Sequence, residues 1–369
     1  MELHGVDRIS HLSSHISLNK ASPTEVDFMN TVTQKNQIAQ QYKLLEEGVG
    51  IYVRELGGFL AIEGTEALDL LNRISTNKLL GLGKLEHRGT VLPTEKGKFL
   101  DLIDVVGIEE SLMIRTLCMD SSSVKTWLDH FIIMEDVRVK DISDDWREVM
   151  LIGANVSSIV NSAIHESDFI GKICLAKVDD EKVYFLRDLL FDEIVRVWMP
   201  KSSLSAVVEL LQIQGNEAKE VAVIDFEAFE FYRLLRGIPA PGFELTSDFN
   251  PLEIGLEKYI DFNKGCYIGQ EVIARLNTYQ KVQNRRLVFE CKKSDWVGQR
   301  GLQILRGFEE VGKVTSQMYN FQTNMIIGQA YLKLDFVSSE YLDLIFDDGS
   351  RAPVELRMSH LSTFSPTVH

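Results

Sequence analysis

Lys264-Gly265-Cys266-Tyr267-Ile268-Gly269-Gln270-Glu271-Val272-Ile273-Ala274-Arg275 is the stretch on which the reading of this chain turns. Its two glycines, Gly265 and Gly269, permit a tight exposed turn. The residues from Gln270 onward suit a helix, so the pattern predicts one opening near Gly269. Cys266 then lies just before a helix N-terminus and two residues from Lys264. The partial positive charge of the helix end and a nearby ammonium both favour a thiolate. Cys266 and Lys264 are therefore candidates for chemistry. The competing reading packs Cys266 into the core beside Tyr267, because cysteine is among the most buried residue types. Taken alone, the segment leaves both open.

Working outward, Phe226, Phe229, Leu234 and Leu235 mark a helix, Gly237 sits where it would stop, and Pro239 and Pro241 prevent its continuation. After Arg285-Arg286 the pattern turns all-β. Short runs at 302–305, 311–316, 326–332, 342–346 and 354–358, parted by turn residues, predict a small barrel. Lys281, Arg285 and Arg286 read as a solvated basic face. Towards the start, 58–62 reads as a buried strand. Thr65 can cap a helix whose apolar Ala67, Leu70, Leu71 and Ile74 recur at helical spacing. Further strands fall at 90–93, 99–106 and 111–116, the last two forming a hairpin across Glu109 and Glu110. The stretch from 147 to 225 repeats the mixture of strand and helix. Adjacent hairpins among helices predict an α+β protein rather than a doubly wound parallel sheet. The expected divisions are an arm over 1–45, a first α+β domain over 46–145, a second over 146–284 carrying the opening motif, and a β-barrel over 285–369. The arm is polar and aperiodic until a short helix near 38–45.

The 54 acidic residues outnumber the 39 basic ones, giving a formal charge of -15. Such a field repels polyanions and argues against general nucleic-acid coating. The four cysteines, Cys118, Cys174, Cys266 and Cys291, are far apart and form no CxxC pair. That excludes the usual zinc spacings and a disulfide framework, and suits a reducing, cytoplasmic setting. No histidine sits at metal-ligand spacing, so no metal site is expected. No run is long enough to span a bilayer, and the acidic residues Glu2 and Asp7 make the start unlike a secretory signal. GxGxxG, GxxxxGK[ST], HExxH and GxSxG are all absent, which removes several common enzyme classes.

K-G-C-[FY]-x-G-Q-E resembles the signature of YgfZ-type proteins, a branch of the folate-binding aminomethyltransferase superfamily that includes the T-protein of the glycine cleavage system. Five further segments resemble that superfamily in order: Leu71-Asn72-Arg73-Ile74-Ser75-Thr76-Asn77, Arg236-Gly237-Ile238-Pro239, Asn250-Pro251-Leu252-Glu253-Ile254-Gly255-Leu256, Gly312-Lys313-Val314-Thr315-Ser316 and Gly328-Gln329-Ala330-Tyr331, the last two in the barrel. The resemblance implies a three-domain ring around a hole that binds tetrahydrofolate or a derivative. Glu253 matches the acid of the pterin region, where a carboxylate's two oxygens face an amino group and a ring N–H. Arg236 and Arg275 are candidates for the folate's carboxylate tail or for interdomain ion pairs. Gln270 and Glu271 join the folate set as members of the motif. Where the transferase carries an Asp-Asp pair, one of them catalytic, Asp101 is the one acid that remains, and its side chain also fits a solvated strand residue. Leu102 stands where the transferase has a second acid, and Gln270 where it has arginine. These departures point to the YgfZ-type role, a folate-dependent accessory protein for iron-sulfur client enzymes, including tRNA-modifying ones. The alternatives are a glycine-cleavage aminomethyltransferase and a non-catalytic folate-binding scaffold.

Overall fold

The computed structural model describes residues 32–358 apart from 110, 165–168, 171, 216–219, 280–281 and 293–300. Among the described residues eighteen strands form three sheets. β1 (Val49–Arg54), β7 (Trp146–Ile152), β8 (Phe169–Ile170), β9 (Ile173–Val178), β10 (Glu181–Arg187), β11 (Ile194–Pro200) and β12 (Val221–Val223) pair in the order β12-β1-β7-β11-β10-β9-β8. β2 (Phe59–Glu63), β3 (His87–Pro93), β4 (Phe99–Ile108), β5 (Ser111–Thr116) and β6 (Arg138–Asp141) pair as β3-β4-β5-β2-β6. β13 (Asn284–Cys291), β14 (Gly301–Arg306), β15 (Glu309–Asn320), β16 (Met325–Lys333), β17 (Asp343–Phe346) and β18 (Arg351–Met358) close into a barrel, β13-β16-β15-β14-β17-β18. Closure leaves no unpaired edge to template aggregation. The α+β class and the C-terminal barrel follow the sequence expectation.

Helix Ala67–Ile74 buries Ala67, Leu70, Leu71 and Ile74, the residues its spacing singled out. Its N-cap, however, is Glu66 with no side-chain cap bond. Thr65 instead hydrogen-bonds Asp136 through both N and Oγ1. Helix Phe226–Arg236 ends at Gly237, whose φ of +67° is the left-handed conformation glycine adopts freely. Of the expected loose arm, residues 1–31 lie outside the described residues, as do Glu110 and Lys281. Helix Val32–Glu47 packs Ile38, Tyr42 and Leu45 onto Phe231 and Ile152, so it belongs to the core. β1 pairs with β7 and β12, which places Val49–Arg54 in the seven-stranded sheet rather than beside β2.

The two α+β sheets meet through Phe59, Val106 and Met113 on one side and Ile173, Tyr184, Leu186 and Trp198 on the other. Two buried ion clusters cross this apolar joint. Arg115 Nε lies 3.0 Å from Glu148 Oε2, and Trp198 Nε1 donates to Glu148 Oε1 at 3.1 Å. Asp104 is gripped by both terminal nitrogens of Arg196 and by His87 Nε2 at 2.8 Å. Burial by itself would raise Asp104, but the Arg196 guanidinium and His87 hold its carboxyl well below the usual range. Glu148, equally buried, is lowered by Arg115 and Arg54.

Arg285 and Arg286, expected on a solvated face, are buried. Arg285 donates to Leu252 O and pairs with Glu257 at 2.7 Å. Arg286 donates to Ile254 O and Gly237 O, each at 2.8 Å, and to Gln329. Both staple the barrel to the turn carrying Glu253. A guanidinium's five fixed donors suit this, because carbonyls at the ends of short helices lack intrahelical partners.

Candidate functional site

The opening motif folds as expected at its helix. Gly269 (φ +73°) precedes helix Gln270–Thr278, and a Cβ there would sit 2.5 Å from Thr94 O. The turn between β3 and β4 and the motif loop are thus backed directly against each other. Cys266 is exposed, so the core-packed reading of the thiol is overturned. Tyr267, its neighbour, is buried with Leu252, Ile260 and Ile273.

Lys264 departs from expectation. Its Nζ donates to Asn72 O (2.7 Å), Ser75 O (2.7 Å) and Asn77 O (2.6 Å). All three ammonium hydrogens are therefore engaged by the last turn of helix Ala67–Ile74 and the chain after it, leaving none to hydrogen-bond Cys266. Burial pulls Lys264 down to about 8 against the opposing pull of Asp261. Lys264 is a positioning residue: with the bonds Asp261 N to Thr76 O and Ile268 N to Arg73 O, it ties the motif loop to the first sheet's helix.

Asp101, read as a solvated strand residue or a catalytic acid, is fully buried. Its Oδ1 accepts from the backbone N–H of Leu102, Leu117 and Cys118 and its Oδ2 from that of Met119, at 2.7–3.2 Å. Burial raises its pKa against these four bonds. Burial, then the Asp101 charge, also pushes the Cys118 thiol well up, keeping it protonated. Asp101 thus anchors the turn after β5. Replacing it with alanine is expected to lower stability by about 2–4 kcal/mol, because buried N–H groups lose their acceptor. Chemical denaturation of the two proteins reads this directly.

Glu253 is buried at N3 of helix Pro251–Ile254 in a capping box with Asn250. Its Oε2 accepts from Asn250 N (3.0 Å) and Nδ2 (2.8 Å), its Oε1 from Asn284 Nδ2 (2.9 Å), and Lys98 Nζ lies 4.0 Å away. Arg236 is half-buried and pairs with Glu193 at 2.7 Å, an ion pair within the expected second domain. Arg275 and Glu271 are exposed, and Gln270 is half-buried. These residues are spread along the loop and both ends of its helices, and none of them lines the cavity described next.

One cavity lies where the five-stranded sheet, the turn before β11 and the segment leading into the motif loop meet. It is open to solvent, holds about 570 Å³ and is lined by Asn77, Lys78, His87, Arg88, Leu189, Lys258, Tyr259 and Asp261. That volume falls within the roughly 300–1,000 Å³ of small-molecule sites. Gly89 makes the arrangement possible, since a Cβ there would lie 2.5 Å from the Tyr259 ring and 2.9 Å from Leu189. Asn77 is held by its Nδ2 bond to Gly89 O (2.8 Å), and Arg88 donates to Lys78 O. Lys264 touches this wall through Asn77 O, which is the motif's direct link to the cavity. The sequence reading missed most of the lining. Thr76-Asn77 was visible as a family-like element, but Lys78, Arg88 and Lys258 follow no spacing rule and come together only in the fold.

No family model matches the chain. It is similar to the aminomethyltransferase of Aquifex aeolicus, with 24% identity over 82% of this chain and 81% of the relative. It is also similar to the aminomethyltransferase of Thermotoga neapolitana, with 22% identity over 84% of this chain and 86% of the relative. Among solved structures, the glycine cleavage system aminomethyltransferase T from Bartonella henselae superposes with a TM-score of 0.73 at 14% identity, covering 88% of this chain and 89% of that one. The chain therefore has the fold of the glycine-cleavage aminomethyltransferase, and its sequence similarity to proteins of that name runs over four-fifths of its length.

Proposed function

We propose that this protein is a tetrahydrofolate-binding accessory protein of the YgfZ type, which supports assembly or repair of iron-sulfur enzymes, tRNA-modifying ones among them. The observation that carries this reading is the condition of Asp101. Asp101, the one acid left of the transferase's Asp pair by the sequence resemblance, is buried in the core with four backbone N–H groups on its carboxylate. A group so enclosed has no path to a substrate amine. The exposed Cys266, by contrast, is open to a partner protein. The folate half of the reading draws on the fold and on the relatives' name. The cavity volume and its cationic wall fit a folate-sized anion, whereas Glu253 has its oxygens engaged by Asn250 and Asn284 and does not line that cavity.

A second reading, a glycine-cleavage aminomethyltransferase, is favoured by the names of the relatives and by the superposition. Calorimetric titration with tetrahydrofolate, paired with an assay of ammonia release from a lipoylated, aminomethyl-loaded carrier, separates the two. Binding without ammonia release is the expected result. Ammonia release would install the second reading, and absence of binding would remove both. Glu253→Gln is the better probe of the pterin contact than alanine, because alanine also destroys the capping box, at about 1–3 kcal/mol. For the thiol, Cys266→Ala is expected to fold normally and fail to restore iron-sulfur enzyme activity in cells lacking the native protein; full restoration ends its proposed role.

A further inference from the structure

Among the described residues, three cations gather on the cavity wall without a carboxylate partner. Arg73, Arg115, Arg196, Arg233, Arg236 and Arg285 each pair with a carboxylate. Lys78, Arg88 and Lys258, which meet around one concavity, have no carboxylate within 4 Å among the described residues. The single acid in the lining, Asp261, accepts from Asn263 N at 2.8 Å and leaves the wall net positive. In a protein of charge -15, three like charges left unpaired around one cavity repel one another. A ligand anion removes that repulsion, and concave low-dielectric walls strengthen the attraction. The three donors are also of complementary kinds. Arg88 is half-buried and fixed by its bond to Lys78 O, whereas the two exposed lysines can swing onto a ligand.

We propose that this cavity is a receptor for a small molecule carrying at least two negative charges, carboxylate or phosphate, seated between Arg88 and the two lysines beside Tyr259. The inference stands on the cavity and its charges and does not depend on the folate reading. The two sources of such an anion are the glutamate end of a folate and a free phosphate compound.

The test is calorimetry on the full chain at low and high salt with three titrants: tetrahydrofolate, its triglutamate form and inorganic pyrophosphate. Lys78→Ala/Lys258→Ala removes the mobile cations without disturbing buried contacts. Lys140→Ala/Lys177→Ala, two exposed lysines elsewhere, is the control. For at least one titrant the rim variant is expected to raise Kd about tenfold, equivalent to 1.4 kcal/mol, and to flatten the salt dependence, with the control unchanged. The triglutamate binding more tightly than tetrahydrofolate, with the gap closing in the rim variant, assigns the glutamate end. Pyrophosphate binding with the same rim dependence while neither folate binds assigns a phosphate compound: it upholds the cavity and sinks the folate reading. Tetrahydrofolate and its triglutamate binding equally to wild type and rim variant leaves folate binding intact and overturns the cavity assignment. Failure of all three to bind overturns it as well.

Discussion

Asp104→Ala is expected to destabilise the protein by about 3–5 kcal/mol, the largest effect of any single replacement considered, because it leaves a buried guanidinium without its counter-charge. Arg196 is buried on β11, and Asp104 on β4 supplies both of its short ion contacts across the joint between the two α+β sheets. The remaining acid, Asp188, lies 3.5 Å from Arg196 Nε and does not replace that grip. His87, which gives Nε2 to Asp104, loses its acceptor in the same step. Removing both charges, as in Asp104→Leu/Arg196→Met, is expected to recover most of the loss, since the joint around Trp198 and Phe59 is already apolar. The single, reverse and double replacements form a cycle read by urea denaturation. A single-site loss under 1 kcal/mol would show that water enters the joint and that the pair is not load-carrying.

The same pair sets a pH signature. Asp104 and Glu148 are both lowered in the folded state. A depressed carboxyl contributes stability that is fully present above the unfolded value of about 4 and is lost as pH falls, because the unfolded chain binds the proton first. Stability of the native protein is therefore expected to be level from about pH 5 to 7 and to drop from pH 5 towards 2. The drop should be shallower in the double replacement. An equal slope in both would assign acid lability to other carboxylates.

Lys264→Met is expected to cost about 2–4 kcal/mol, because three backbone carbonyls lose charged donors while the side-chain volume is kept. Cys266→Ala, two residues away and exposed, is expected to change stability by less than about 0.5 kcal/mol. This contrast separates two residues that the sequence places together as a reactive pair. Loss of Lys264 should also weaken ligand binding at the cavity, since Asn77 O on its wall is one of the three acceptors. The lysine has a pH signature of its own. With Lys264 drawn down to about 8, the folded protein sheds this proton before the unfolded chain does. The penalty of holding a buried ammonium is therefore present below pH 8 and is relieved as pH rises towards 10. Wild type should gain on Lys264→Met across that window, and parallel curves would refute the assignment.

What the sequence alone determined is the local and periodic part. Helical spacing placed Ala67, Leu70, Leu71 and Ile74 on one buried face. Gly237 and Gly269 marked helix ends because both sites require positive φ, which is written in residue type. Alternating short runs after Arg285 announced the barrel, and five ordered segments pointed to the aminomethyltransferase fold that the superposition bears out. What only the tertiary structure decided is where the charges go. Asp104 and Arg196 are 92 residues apart, Arg115 and Glu148 33, and Lys264 and Asn72 192. Nothing in composition or period distinguishes a buried, satisfied ion from a solvated one, because desolvation depends on what the rest of the chain brings against it. For that reason Asp101, Lys264, Arg285 and Arg286 carried one reading in the sequence and another in the fold. For the same reason the cavity of Lys78, Arg88 and Lys258, drawn from two segments far apart in the chain, has no charge signature in the sequence.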